Sequence, residues 1–341
     1  MRSQRRRILT LAALVLLPAA AYGETMPHEG GQPVRITRET FRGWEDAYRL
    51  SNGRVDAVVV TAIGPRIMAF GPTDGPSLFY VRDREAGGRN EQDWTFRGGW
   101  RLWVAPERRE TTYSLDNAPC TAEVSDTTLR VTGPPQPDSG LQKTIEVSLD
   151  AEQPRLHLVS HLRNIGDRPR TYAAWSLSVL RPGGRAFVPL DVGPPDSFDA
   201  IRRLILWSYT KIHDPRYRFG DRLIQIDHAM VAAAPQGAGG RRDDESKIGV
   251  DSAQGWGAYL LDGTLYVKRF GHDADGQYPD GGATIEVYSS AEFLELEQLG
   301  PLTTIQPGAE IVFPEDWWLF SNVTVPAEEA PALEALGRYV K

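Results

Sequence analysis

Apolar and polar residues alternate with a period of two along much of the chain, most clearly over residues 54–61, 127–132, 141–149, 155–164, 171–180, 284–288 and 293–299. Such alternation, with β-branched and aromatic side chains on the apolar positions, predicts half-buried β-strands. Turn clusters separate the stretches, among them Gly133-Pro134-Pro135-Gln136-Pro137-Asp138, Pro182-Gly183-Gly184 and Pro279-Asp280-Gly281-Gly282. With 25 prolines and 33 glycines, the punctuation is dense enough for many short strands joined by turns. The one helical signal lies near the end, where Leu333 and Leu336 fall three apart. No repeat of fixed period is present, which argues against a propeller. Residues 235–246, rich in Gly, Arg and Asp, read as a long surface loop, because strand-like sequence continues on both sides. The pattern predicts an all-β protein: a single large antiparallel β-sandwich over residues 24–341 with a short C-terminal helix.

The N-terminus departs from this pattern. Arg2, Arg5, Arg6 and Arg7 precede an apolar run over residues 8–21 that ends in Ala21-Tyr22-Gly23, small residues at the positions a signal peptidase accepts. Residues 1–23 are therefore expected to be a cleavable signal peptide, with Arg5-Arg6-Arg7-Ile8-Leu9 also fitting the core of a twin-arginine signal. The run is short for a membrane span, and nothing later reaches about 18 consecutive apolar residues. A periplasmic or secreted protein with no membrane anchor after cleavage is the expectation. Removing the leader takes away four arginines and no acid, so the formal charge moves from −7 to −11. No basic cluster with interleaved aromatics remains, which excludes a nucleic-acid partner. Cys120 is the only cysteine, so neither a disulfide framework nor a multi-cysteine metal site is available. Oligomeric state leaves no mark in the sequence.

Three stretches carry a family resemblance. Arg97-Gly98-Gly99-Trp100-Arg101-Leu102-Trp103-Val104-Ala105-Pro106 resembles the arginine, double glycine and later proline of the galactose mutarotase-like (aldose 1-epimerase-like) superfamily. Leu162-Arg163-Asn164-Ile165-Gly166-Asp167-Arg168-Pro169 is similar to the N-x-G-D-x-P turn before the central strands of aldose 1-epimerases. Phe293-Leu294-Glu295-Leu296-Glu297-Gln298-Leu299-Gly300-Pro301 resembles the late strand bearing their catalytic glutamate. Trp207-Ser208-Tyr209, Asp214-Pro215-Arg216, Lys247-Ile248-Gly249 and Tyr278 to Gly282 are similar to a secreted bacterial branch of these proteins. The resemblance implies a β-supersandwich with a carbohydrate ligand in a cleft on its concave face.

Chemistry at an anomeric centre needs a base for the hydroxyl and an acid for the ring oxygen. By resemblance Glu297 is the base, with Glu295, one pleat away, as its substitute. Both point to one strand face and Leu294 and Leu296 to the other; alternation alone is equally met by a solvated acidic face opposite a packed one. The epimerases' acid is a histidine in the strand after the N-x-G-D-x-P turn, and here residues 171–178 contain none. His157 and His161 share a face but stand about 13 Å apart along a strand, too far to hold one metal ion. His213 and His228 each adjoin an aspartate, and the acidic loop His272 to Gly276 lacks the later ligands of an EF-hand. No metal site and no cofactor are expected. Rings suited to sugar C–H faces are Trp103, Trp207 and Tyr209, with Trp94 and Trp100 nearby; Arg66, Arg97 and Arg216 are suited to hydroxyls or a uronate carboxylate. No nucleophile elbow or phosphate-binding loop is present.

The missing histidine favours an exported carbohydrate-binding protein without catalysis. The alternatives are an aldose 1-epimerase-like isomerase with Glu297 as base, or a glycoside-cleaving enzyme pairing Glu286 with Glu295 or Glu297.

Overall fold

The computed structural model describes residues 33–231 and 244–341. The expected leader lies outside these residues, as does most of the expected surface loop 235–246. All seven alternating stretches form strands within a residue or two of their expected limits.

The strands make two antiparallel sheets. The eleven-stranded sheet runs Arg35–Phe41, Trp44–Ser51, Val55–Val60, Arg66–Pro72, Trp100–Ala105, Arg170–Leu180, Leu294–Leu299, Ile285–Ser289, Ser246–Val250 and Leu204–Leu206, with Thr303–Ile305 pairing the start of Arg170–Leu180. The ten-stranded sheet runs Tyr217–Phe219, Leu223–Asp227, Arg185–Pro189, Trp256–Leu261, Thr264–Phe270, Glu310–Phe320, Arg155–Asn164, Leu141–Leu149, Thr128–Thr132 and Thr121–Ser125.

Alternation decides what lies between the sheets. Leu102, Val104, Ala174, Leu294, Leu296, Ile285 and Val287 of the larger sheet meet Ile145, Val147, Leu156, Leu158 and Leu162 of the smaller one. At the centre Trp317 is fully buried, its ring 5.8 Å from Phe70, Phe79 and Trp100 and 5.9 Å from Tyr266. One ion pair is enclosed in this apolar layer: Lys268 Nζ lies 3.1 Å from Glu315 Oε1. Ser176 of the opposite sheet donates its hydroxyl to Glu315 Oε2 at 2.6 Å, which supplies the hydrogen bonding that a buried pair requires.

The C-terminal helix, Glu329–Leu336, lays Ala332 and Leu336 on the outer face of the smaller sheet against Leu265, Val267 and Trp256. A second helical turn, Arg109–Thr112, is too short for a period of 3.6 to register in sequence. The N-x-G-D-x-P motif closes a strand end: Asn164 Nδ2 donates to the carbonyls of Arg168 and Ile305, and its Oδ1 accepts from Gly166 N.

Truncating Trp317 to alanine is expected to cost about 3–5 kcal/mol, because four rings from both sheets lose their common neighbour. Urea unfolding of Trp317→Ala checks this, and a loss below 1 kcal/mol would show that the layer closes over the gap.

Candidate functional site

The central strands of the larger sheet are buried on their outer face as well, and the strand register builds a row of side chains there. Arg101 pairs with Leu177, Leu177 with Glu297, Glu297 with Glu286, and Glu286 with Gly249, across five adjacent strands. A second row places Trp103 opposite Trp175 and Trp175 opposite Leu299. Glu286 and Glu297 are thus two carboxylates directly opposite one another, an arrangement that repels unless a cation intervenes.

Lys247 is that cation. Its Nζ lies 2.6 Å from Glu286 Oε2 and 2.9 Å from Glu297 Oε2, with both carboxylates fully buried. The ammonium also sits 4.6 Å from the Trp175 ring and 4.7 Å from the Trp207 ring, within cation–π range. Trp175 Nε1 donates to Glu297 Oε2 at 2.8 Å. Burial drives the Glu286 carboxyl well above its ordinary value, Lys247 acting against that shift and Glu297 adding to it. Burial likewise raises Glu297, opposed by Lys247 and reinforced by Glu295. Lys247 itself is raised, because the two carboxylates outweigh its own desolvation.

Gly249 gives this floor its room. A Cβ there would stand 3.3 Å from Trp207 Cζ3 and 3.5 Å from Glu286 Cγ. Trp207 follows the edge strand Leu204–Leu206, and Thr210 holds its turn to the Lys247 backbone, accepting from Lys247 N at 3.0 Å.

Above the floor is a cleft of about 1100 Å³ lined by Trp94, Tyr113, Trp175, Trp207, Glu107 and Asp280 among others. Trp94 packs against Trp103 at 5.1 Å and edge-on to Tyr113 at 5.2 Å, and Trp103 meets Trp175 at 5.4 Å. Tyr113 donates its hydroxyl to Glu107 at 2.5 Å. Arg101 Nη2 donates to Glu295 Oε1 at 2.9 Å, and the guanidinium stacks 4.1 Å above Trp103.

The residues anticipated from sequence divide into two groups. Glu297, Glu295, Trp103 and Trp207 fall together at the floor and wall of the cleft, and Tyr209 lies half-buried near Tyr288 beside them. The three arginines bind the protein itself. Arg66 donates to Asp116 and to the carbonyls of Thr95, Phe96 and Gly98, so it anchors the loop that carries Trp94. Arg97 adopts a φ of 60° and pairs with Glu91. The two glycines after it are needed sterically, since a Cβ at Gly98 would lie 2.2 Å from the Tyr80 carbonyl oxygen. Arg216 spends its guanidinium on Asp214, Ser289 and the Asp244 carbonyl.

Among the described residues no histidine lines the cleft. His157 pairs with Asp316 and His161 with Glu310 on the other sheet, His272 stacks on Tyr278, and His228 is buried with Nδ1 accepting from Gly183 N. Among the described residues no group of three or more His, Cys, Asp or Glu side chains is gathered as a metal ligand set, and no helix is long and apolar enough to cross a membrane. Trp175, Lys247, Arg101, Tyr113 and Asp280 are the site residues that sequence reasoning did not select. The visible signal was a lone lysine two positions before a strand glycine, and a tryptophan in the strand where the resemblance places a histidine.

This architecture is that of the galactose mutarotase-like β-sandwich. The chain superposes on a candidate aldose 1-epimerase from Klebsiella pneumoniae with a TM-score of 0.57 and 13% identity, over 89% of this chain and 86% of that one. A galactose mutarotase-like protein from Clostridium acetobutylicum gives 0.52 at 9% identity, over 85% and 99%. The Slr1438 protein of Synechocystis gives 0.51 at 12%, over 88% and 100%. The chain matches no protein-family model, and no curated protein matches it in sequence. At these identities the likeness is one of fold.

The floor makes a signed pH prediction. Glu286 and Glu297 are easier to protonate folded than unfolded, so their contribution to stability is complete below the ordinary value of 4.5 and is lost as the pH rises through their elevated folded values. Glu286→Gln, which leaves one carboxylate to one ammonium, should flatten this decline and be neutral or stabilising at pH 8. Lys247→Met should cost about 3–5 kcal/mol at pH 8 and less at pH 5, where the carboxyls can protonate. Urea unfolding at the two pH values measures both; equal losses for Lys247→Met would contradict the assignment.

Proposed function

We propose that this is an exported carbohydrate-binding protein whose ligand lies in the cleft over Trp175 and Trp207. The observation that carries the reading is the lining itself: four aromatic rings, Trp94, Tyr113, Trp175 and Trp207, set among carboxylates in one open cleft. Pyranose rings stack their C–H faces on such rings while their hydroxyls donate to carboxylates. The mutarotase-like fold supports the reading at the level of architecture.

Binding without catalysis is favoured over isomerisation by the state of Glu297. Its Oε2 accepts from Trp175 and Lys247, which hold the group in place and oppose the rise that burial imposes on its carboxyl, so a proton taken up there would act against both bonds. A base for the anomeric hydroxyl must instead take up and release a proton beside the sugar, with an acid on the ring oxygen. Among the described residues no lining histidine is placed to supply that acid.

Titration of neutral mono- and oligosaccharides, followed by tryptophan fluorescence and calorimetry, should give saturable binding that Trp207→Ala weakens about tenfold or more. The exchange rate between α and β anomers should be the same with and without protein. Absence of saturable binding across the panel overturns the proposal, and accelerated exchange abolished by Glu297→Gln replaces it with the isomerase. For export, mass spectrometry of the protein from its native host should find a mature chain lacking residues 1–23 outside the cytoplasm; an intact leader on cytoplasmic protein contradicts it.

A further inference from the structure

The charge of the cleft is one-sided. Asp93, Glu107, Asp138 and Asp280 line it, and among the described residues Arg109 is the one basic side chain in the lining. Asp93, Glu107 and Asp138 are exposed at the rim, Asp280 is half-buried, and none of the four makes an ion pair with an arginine or lysine among the described residues. Beneath them three carboxyl groups, Glu286, Glu295 and Glu297, face Lys247 and Arg101 among the described residues, and burial favours the neutral form of Glu286. Glu297, fully buried on the face that floors the cleft, keeps its Oε1 without a hydrogen-bond partner, while Glu286 shares a side-chain hydrogen bond with Asp280.

The cations that could offset this field are committed elsewhere. Arg66, Arg97 and Arg216 are bonded to Asp116, Glu91 and Asp214, and Arg101 to Glu295. Among the described residues, Arg109 is the lining cation left to receive a uronate or a sugar phosphate. The cleft does already accommodate an ammonium: Lys247 Nζ is held by two indoles that also line it, 4.6 and 4.7 Å away, with carboxylates alongside.

We infer that the cleft selects cationic glycans, oligosaccharides of 2-amino-2-deoxy sugars bearing free ammonium groups, over neutral and anionic counterparts of the same backbone. The inference rests on the reading of the cleft as a sugar site. A rim of carboxylates without an arginine or lysine partner among the described residues raises the local concentration of cations, and the aromatic faces add cation–π attraction to the stacking any pyranose receives.

Three β-1,4-linked tetramers separate the terms: tetra-glucosamine, its fully N-acetylated form and cellotetraose, titrated calorimetrically at a pH where the amines are protonated. Tetra-glucosamine should bind about tenfold or more tighter than the other two, with a preference that shrinks as salt is raised. The rim variant Asp93→Asn/Glu107→Gln/Asp138→Asn should bring the affinity ratio toward one. Equal affinity for the three tetramers, a ratio unchanged in the rim variant, or spermine binding as tightly as tetra-glucosamine would each overturn the inference while leaving carbohydrate binding intact. Failure of every tetramer to bind would remove the sugar reading itself.

Discussion

One ammonium between two opposed carboxylates governs the arrangement of the outer face. Glu286 and Glu297 meet because the strands Ile285–Ser289 and Leu294–Leu299 pair in a register that puts them side by side. That register is itself required, since a shift of one residue would turn Leu294 and Leu296 out of the core and the glutamates into it. The hydrophobic pattern thus forces two like charges together, and Lys247, reaching across from the next strand, is what makes the forced contact tolerable. Trp175 and Trp207 close over the ammonium and become the bottom of the cleft.

The wall of the cleft is held by a different device. Arg66 is wholly enclosed and directs its N–H groups at three successive parts of the loop around Phe96, so the position of Trp94 follows from main-chain carbonyls bound to a buried cation. Arg66 sits opposite Arg101 on the neighbouring strand, and each like-charged arginine has its own carboxylate, Asp116 or Glu295. The sheet therefore carries alternating charges in pairs along its outer face. None of these groups is in bulk water, so each pair is worth keeping only while complete.

Most of the architecture was legible because it depends on local patterning. Period-two alternation marked seven strands, and the glycines after Arg97 marked a turn that only glycine tolerates at Gly98. The candidate site was legible in part. Glu297 and Trp207 could be named from motifs, whereas Lys247, Trp175 and Arg101 become site residues only through cross-strand register, which no local pattern encodes. The arginines show the converse. Arg66, Arg97 and Arg216 have the chemistry to bind a ligand, but their partners, Asp116, Glu91 and the backbone around Ser289 among them, are brought in by tertiary contacts. The solvated acidic strand face, a fair reading of alternation, gives way because the strand Leu294–Leu299 is buried on both faces.

A floor of this kind ties its shape to the protonation of two glutamates. Burial favours the neutral forms of Glu286 and Glu297, while Lys247 favours the charged ones, so the protonation of each is tied to that of its neighbour across the strand. A proton taken up by Glu297 would weaken its bond to Lys247 and loosen the ammonium from the two indoles that rest on it. Proton transfer would therefore disturb the surface that the two indoles present to the cleft. Preorganised aromatic surfaces raise affinity chiefly by sparing the ordering of side chains on association. Trp175, locked by its own hydrogen bond to Glu297 and by the Lys247 ammonium, has that ordering built in before any ligand arrives.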